Sequence, residues 1–378
     1  MGNINNYLEW RGDIPFSKIS PYNEIDALIL ARISYLRFNM INVEKKETIK
    51  SISKKMKDIK NEDFLFNGDK ELITLLGKSK RFNELVITDY EEINDKKIEK
   101  QFSAITIHLP NNIIYISFIG TDMSIFGWKE DFNMAFMDEV PAQKNGLEYV
   151  RRIAKKYRHK KIRMGGHSKG GNIAIYAAFN LDKNIQNRII SIDNYDGPGF
   201  DEKLIKFENI ERIVNKITTY IPQESIIGRL FDHKEKRVIV LSNAKGIMQH
   251  DIYSWNVCRD KFVISDKPDF TSELLDKTIK KWLNECTIEE RKVFVDNLFE
   301  LFYSTDVEEF PEFAKIWKKK IPNIIKAYKN IDDKSRHLSG QTLSKLLRTS
   351  FKVIKEEARE HIKDITNKEK IEKKGFTN

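Results

Sequence analysis

The chain has 378 residues, 40% hydrophobic and 11% aromatic, which is enough for a packed core and more than one small domain needs. Its 66 Lys+Arg against 56 Asp+Glu give a net charge of +10 that is spread along the chain, which argues against a nucleic-acid partner and for solubility with weak attraction to anionic surfaces. Two cysteines, Cys258 and Cys286, indicate no disulfide framework, no CxxC or His-rich spacing suggests a metal, and no run of 18 apolar residues could span a bilayer.

The N-terminal stretch has no apolar core and carries Glu9 early, so it does not read as a secretory signal, and a cytoplasmic location is the expectation. Asn6 stands where a myristoylation signal wants Ser or Thr. Residues 1–20 read as an irregular leader. The apolar positions Ile25, Leu28, Ile29, Ile33 and Leu36 predict a helix over 23–38, with Asn23 as its cap. The charged stretch 44–62 and residues 71–76 read as helical, with 54–60 a solvated face. Residues 84–88 are β-prone and end in a polar turn at Asn94-Asp95. Residues 102–109 and 113–118, joined by Pro110-Asn111-Asn112, predict an antiparallel hairpin at the edge of a larger sheet.

From there strands and helices alternate, the grammar of a parallel sheet. Helices are expected at 144–157, 172–181 and 199–215, and strands at 161–164, 188–195, 216–220 and 237–242. After Phe270 only helices are expected, at 273–283, 288–303, 309–319 and 321–329. A last long helix carries Leu343, Leu346, Leu347, Phe351, Ile354, Ala358, Ile362 and Ile365 at spacings of three or four. Its basic, amphipathic character leaves room for peripheral membrane contact, against which Glu356, Glu357 and Glu360 weigh, and packing against the body or a partner is favoured. The expected fold is α/β, with a mostly parallel central sheet and an antiparallel hairpin at its edge. The division is an α/β domain at 1–265 and a C-terminal helical region at 266–378.

The chemistry centres on Gly166-His167-Ser168-Lys169-Gly170-Gly171, a G-x-S-x-G motif between a short strand and an apolar helix. A serine nucleophile on a strained strand-to-helix turn needs this setting, because only small neighbours let the backbone and adjacent strands approach. Serine catalysis also needs a base, and in the α/β-hydrolase fold that this setting indicates for residues 1–265 the chain order is serine, acid, histidine. Of seven histidines, His108 and His159 precede the serine. His167 adjoins it and should point away. His233 lies in a charged turn where a solvated role fits, and His337 and His361 lie in the helical tail. His250, on the loop after the last strand, remains as the base.

Two carboxylates can orient it: Asp196, at the end of the strand after the elbow helix, and Glu224, at the end of the next. Strand C-terminal ends collect ligand-facing residues, and Asp196 is favoured. The oxyanion donors are expected to be the amides of Lys169 and of Thr121, on the Gly120-Thr121 loop after an earlier strand. Residues 127–132 are expected to wall the pocket.

Together these motifs resemble class 3 lipases, which pair a Gly-Thr or Gly-Ser oxyanion loop and a nearby Trp and Asp with a G-H-S-x-G-G elbow. Gly120-Thr121, Trp128, Asp131 and residues 166–171 carry the likeness. Residues 1–265 as a whole look like a bacterial family of cytoplasmic lipase-like hydrolases, through the leader 7–13, Asp196-Gly197-Pro198-Gly199-Phe200 and Gln249-His250-Asp251. The resemblance implies a serine hydrolase cleaving carboxylic esters of acyl lipid or a related small ester, with no metal or organic cofactor. Two departures stand out. Lys169 occupies a place where the lipases have Leu, and is expected to tune which acyl substrate the elbow accepts. Ser225 occupies a place where they have Asp. The alternative reading is a catalytically silent hydrolase scaffold serving as a binding or regulatory protein.

Overall fold

The computed structural model describes residues 2–122, 124–201, 210–265 and 269–375. Helices α1 (Ile4–Arg11) and α2 (Glu24–Ile33) precede β1 (Lys46–Thr48), α3 (Ile49–Lys55) and α4 (Asp69–Lys78). Strands β2 (Val86–Asp95), β3 (Lys100–Leu109) and β4 (Ile113–Phe118) follow, then α5 (Ile125–Asn133), α6 (Pro141–Lys156), β5 (Lys161–His167), α7 (Lys169–Phe179) and α8 (Lys183–Gln186). The sheet is completed by β6 (Ile189–Tyr195), β7 (Ile217–Pro222) and β8 (Lys236–Val240), and the short strands β9 (Val257–Cys258), β10 (Lys261–Phe262) and β11 (Ile264–Ser265) come after. Helices α9 (Phe270–Glu285), α10 (Ile288–Tyr303), α11 (Phe310–Asn330) and α12 (Asp333–Gly375) end the chain.

Nine strands form one sheet in the order β1-β2-β3-β4-β5-β6-β7-β8-β11. Strands β4 to β8 are parallel. The pairings at either side, β1 to β4 and β8 with β11, are antiparallel. The sheet is therefore mixed rather than mostly parallel, and the 102–118 hairpin lies inside it rather than at its edge. The reason is that β2 runs on to a turn at 96–99, just past Asn94-Asp95, and pairs back onto β3, and β1 then adds outside β2.

Helix α2 covers one face of β4, β5 and β6, while α6 and α7 cover the other. In α2 every residue after Glu24 is buried, Asp26 and Arg32 included. Burial of charge is tolerable only with well-made partners. Arg32 meets both carboxylate oxygens of Asp69 on α4 at 2.8 Å each. Arg81 does the same to Asp26, at 2.8 and 2.6 Å.

Several expectations change. The leader is helical over Ile4–Arg11, where Asn3 caps α1 by accepting from Asn5 N and Asn6 N, and irregular from 12 to 20. The charged stretch 44–62 opens as a strand before α3. Of the helix expected at 199–215, residues 202–209 lie outside the described part, and 210–216 wind as two 3-10 turns. The two helices expected at 309–319 and 321–329 are one, α11, running through Pro322. Proline there removes one backbone donor, which an exposed helix can lose to water. The side chains of Ala358, Ile362 and Ile365 lie outside the described residues.

Helices α9 and α10 pack on the body. Phe299 on α10 is buried against Phe132 on α5, with ring centroids 5.4 Å apart. Arg291 reaches back to Ala135 O at 2.8 Å and Asp201 at 2.6 Å. Ser272 donates to Ser225 O at 2.7 Å.

Candidate active site

A parallel sheet brings the C-terminal ends of successive strands to one edge. Here that edge collects Gly120 and Thr121 after β4, Ser168 after β5, Asp196 after β6, Glu224 and Ser225 after β7, and the His250 loop after β8.

Ser168 links β5 directly to α7 and adopts φ +58°, ψ −134°, a conformation that L side chains rarely hold. Close approach dictates the small neighbours. A Cβ on Gly170 would sit 2.3 Å from Phe118 O, and one on Gly120 would sit 2.1 Å from the Tyr35 hydroxyl and 3.0 Å from Ser168 Cβ. The end of β4 thus lies against the Ser168 turn, with no room for a side chain between them. Ser168 is 7% exposed.

His250 ends a 3-10 turn spanning Gly246–His250. Its Nδ1 lies 2.7 Å from Asp196 Oδ2. Asp196 is itself held in the left-handed region, φ +53°, and its Oδ1 accepts from Ser225 Oγ at 2.5 Å and Gly228 N at 3.1 Å. With a carboxylate receiving Nδ1–H, the imidazole presents Nε2 as its acceptor. Glu224 is elsewhere engaged, accepting from Gly246 N at 2.5 Å. It braces the loop that carries His250 and makes no described contact with the imidazole. Neither Ser168 Oγ nor His250 Nε2 has a hydrogen-bond partner among the described residues.

His167 is buried, and its ring lies against His250 with centroids 4.4 Å apart. Its Nε2 is 2.7 Å from His250 O. Burial, and after it the neighbouring His250, hold the His167 pKa well below its usual value, so the ring is neutral and Nε2–H can donate to that carbonyl. His167 therefore braces the His250 loop. His233, expected to be solvated, is buried and paired with Glu235 at 2.7 Å.

Lys169 requires a correction. Its side chain is fully buried, 2.7 Å from Glu130 Oε2 and 3.6 Å from Asp131 Oδ1. The cation points into the protein beneath α5 and cannot touch an acyl chain at the serine. Glu130 also accepts from Gln101 N at 3.0 Å and Ala142 N at 2.8 Å. Burial opposes the charge on Lys169, yet Glu130 and Asp131 raise its pKa above the ordinary lysine value. Burial lifts the Asp131 carboxyl to about 6, with Lys169 opposing the rise. Asp131 Oδ2 in turn accepts from Thr121 Oγ1 at 2.5 Å. Residues 127–132 thus belong to helix α5, which supports the Gly120-Thr121 loop from behind. The amides of Thr121 and Lys169 face no acceptor among the described residues; that of Lys169 is an orphan donor of the α7 N-terminus.

Three residues of the site escaped sequence reasoning. Tyr35, just past α2, accepts from Gly120 N at 2.9 Å and donates to His167 O at 3.0 Å, joining the loop after β4 to the nucleophile strand. Nothing in its local pattern marks it. Ser225 was known only as a departure from the lipase pattern. Glu130 could have been found, since a lysine in a buried glycine turn demands a carboxylate partner. No group of three His, Cys, Asp or Glu able to hold a metal occurs among the described residues, and no described helix is long and apolar enough to cross a membrane.

Comparison with known proteins gives a family and distant structural likenesses. A family described as Mbeg1-like matches residues 76–300. No curated protein matches the chain. Among solved structures, the lipase from Rhizopus microsporus var. chinensis shares 13% identity at a TM-score of 0.36, covering 67% of this chain and 82% of that one. The Rhizomucor miehei lipase propeptide complex shares 16% identity at a TM-score of 0.31, covering 43% of this chain and 58% of that one, so this chain spans less than two thirds of its length. Lip2 lipase of Yarrowia lipolytica shares 15% identity at a TM-score of 0.29, covering 43% and 70%.

Proposed function

The chain belongs to the Mbeg1-like family, whose match covers more than half of it, and on that premise we propose that it is a serine hydrolase of carboxylic esters. The observation that carries this reading is the strained Ser168 turn, set at the same sheet edge as a His250–Asp196 pair 2.7 Å apart.

In the proposed reaction Ser168 Oγ attacks the ester carbonyl and His250 Nε2 takes its proton. The tetrahedral oxyanion lies against the Thr121 and Lys169 amides, both without other acceptors. Collapse breaks the ester bond, and His250 returns the proton to the leaving alkoxide as the alcohol departs. Water then attacks the acyl-enzyme, giving its proton to His250, and the second collapse releases the carboxylic acid and restores the serine hydroxyl. Asp196 holds the Nδ1–H tautomer and offsets the imidazolium charge that forms in both halves. Glu224 has no part in the proton path. Apo geometry with an unpaired Ser168 Oγ fits a bond that tightens when substrate excludes water.

The substrate class is an acyl ester. Ile247 and Met248, on the turn that ends in His250, are 55% and 67% exposed and offer an apolar rim beside the base. The Lys169–Glu130–Asp131 group acts behind the reacting atoms, orienting Thr121 through its hydroxyl. The test is turnover of short p-nitrophenyl esters together with labelling by a fluorophosphonate probe. Wild type is expected to turn over and to label, and Ser168→Ala to do neither. Undiminished turnover by Ser168→Ala would overturn the assignment.

A further inference from the structure

Helix α11 meets the body along one narrow side. Phe313 packs on Phe302 with ring centroids 5.0 Å apart, and Asn323 donates to Ser304 O at 3.3 Å. On its outer side Trp317, Ile321, Ile325 and Tyr328 are all more than a third exposed, from 40% to 50%. Their spacing of four, four and three places them in one stripe along the helix. At 100° per residue, Lys318 and Lys329 fall on the sector beside that stripe, while Lys319 and Lys326 lie farther round the helix. All four are exposed, and none has an acidic partner among the described residues.

Helix α12 repeats the arrangement over its described side chains. Thr342, Thr349 and Val353 are buried inward, while Leu343, Leu347, Phe351 and Ile354 are exposed in a second stripe, from 47% to 73%. Arg348, Lys352 and Lys355 lie beside it and are also exposed.

We propose that the outer face of α11, with the described part of α12, is a docking surface for an anionic lipid bilayer. An apolar stripe bordered by lysines, with Trp and Tyr inside it, suits the zone between headgroups and acyl chains. The stripe sinks into the acyl boundary while the ammonium groups reach lipid phosphates. A second copy of the chain fits poorly, because like rows of lysine would be brought together. Nucleic acid fits poorly too, because phosphates offer nothing to the apolar stripe. This surface is independent of whether Ser168 is catalytic.

The experiment uses the full chain and flotation with vesicles of phosphatidylcholine alone or with about a third phosphatidylglycerol. Binding is expected only with the anionic lipid, weakening as salt screens the charges. Lys318→Gln with Lys329→Gln should lower partitioning by about thirtyfold. Ile321→Ser with Ile325→Ser should lower it on the order of tenfold or more. These side chains are exposed, so unchanged circular dichroism and unchanged fluorophosphonate labelling are the expected controls for folding. No binding to anionic vesicles at low salt overturns the proposal, as does binding undiminished from wild type in both double variants. Concentration-dependent dimerisation through the stripe, or salt-sensitive binding of RNA or DNA with none to vesicles, overturns it in favour of those partners.

Discussion

The α/β body and the outer half of the helical region handle charge and apolar surface in opposite ways. In the body, charges are buried in tight pairs: Arg32 with Asp69, Arg81 with Asp26 and Lys169 with Glu130. Its exposed large apolar residues, such as Ile19, Ile98 and Ile264, are scattered rather than aligned along one helix. On α11 and α12 the lysines stand in solvent and large apolar residues stand beside them. A helix whose apolar residues were all matched to the body would show a single buried stripe. These helices show a buried side and a second apolar side, so the body explains only part of their sequence. Helices α9 and α10 belong with the body in this respect, since Val295 and Phe299 are buried and Arg291 is 1% exposed.

The comparison can be broken at four points. The largest effect is expected at Ser168→Ala, which should lower kcat/KM on short esters by on the order of 10⁴-fold or more while leaving the thermal transition in place. Asp196→Asn should cost on the order of 10³- to 10⁴-fold by presenting the wrong imidazole tautomer, whereas Glu224→Gln should stay within about tenfold. Steady-state kinetics on the two variants decides which carboxylate serves His250.

Lys169→Met leaves the Glu130 carboxylate buried without its cation. Denaturant unfolding should report a loss of about 3–5 kcal/mol. The same substitution gives a pH signature. Lys169 opposes the rise that places Asp131 at about 6, so removing it favours the neutral carboxyl and raises that pKa further. Asp131 then holds its proton over a wider acid range, and the acid limb of the kcat/KM profile should move to higher pH. A purely structural role would lower stability and leave the limb where it was.

The smallest effects sharpen the contrast between inner and outer helices. Phe299→Ala should cost about 3–5 kcal/mol by opening a cavity against α5. Leu347→Ser, on the exposed stripe of α12, should change unfolding free energy by about 0.5 kcal/mol or less. A large loss at Leu347 would show that the stripe is covered in the free protein.

Much of this architecture is legible in the residues. The alternation of helix and strand from Lys144 to Tyr195 reads directly, because hydrophobic period and turn residues are local properties. The glycine pattern around Ser168 reads for the same reason: only glycine tolerates Phe118 O at the distance that Gly170 imposes. Elimination by chain order led to His250, which sits beside Asp196. What did not read depended on partners far apart in sequence. The 102–118 hairpin looked like a sheet edge because β1, which extends the sheet beyond β2, is three residues in a stretch of helical character far off in the chain. His233 looked solvated because its acidic neighbours are ordinary surface residues in sequence, and folding buries it against Glu235. Lys169 looked like a substrate determinant because the motif says where its Cα lies and not where four methylenes lead.

The sequence alone therefore determined the glycine-flanked turn at Ser168, the order of elements around it and the amphipathic character of the tail, since each rests on contacts between near neighbours. The tertiary structure alone decided that Asp196 rather than Glu224 meets His250, that Ser225 and Gly228 hold Asp196, and that Lys169 faces Glu130. Those outcomes depend on the relative heights at which separate strands end, and strand registry across a sheet is settled by packing of the whole core.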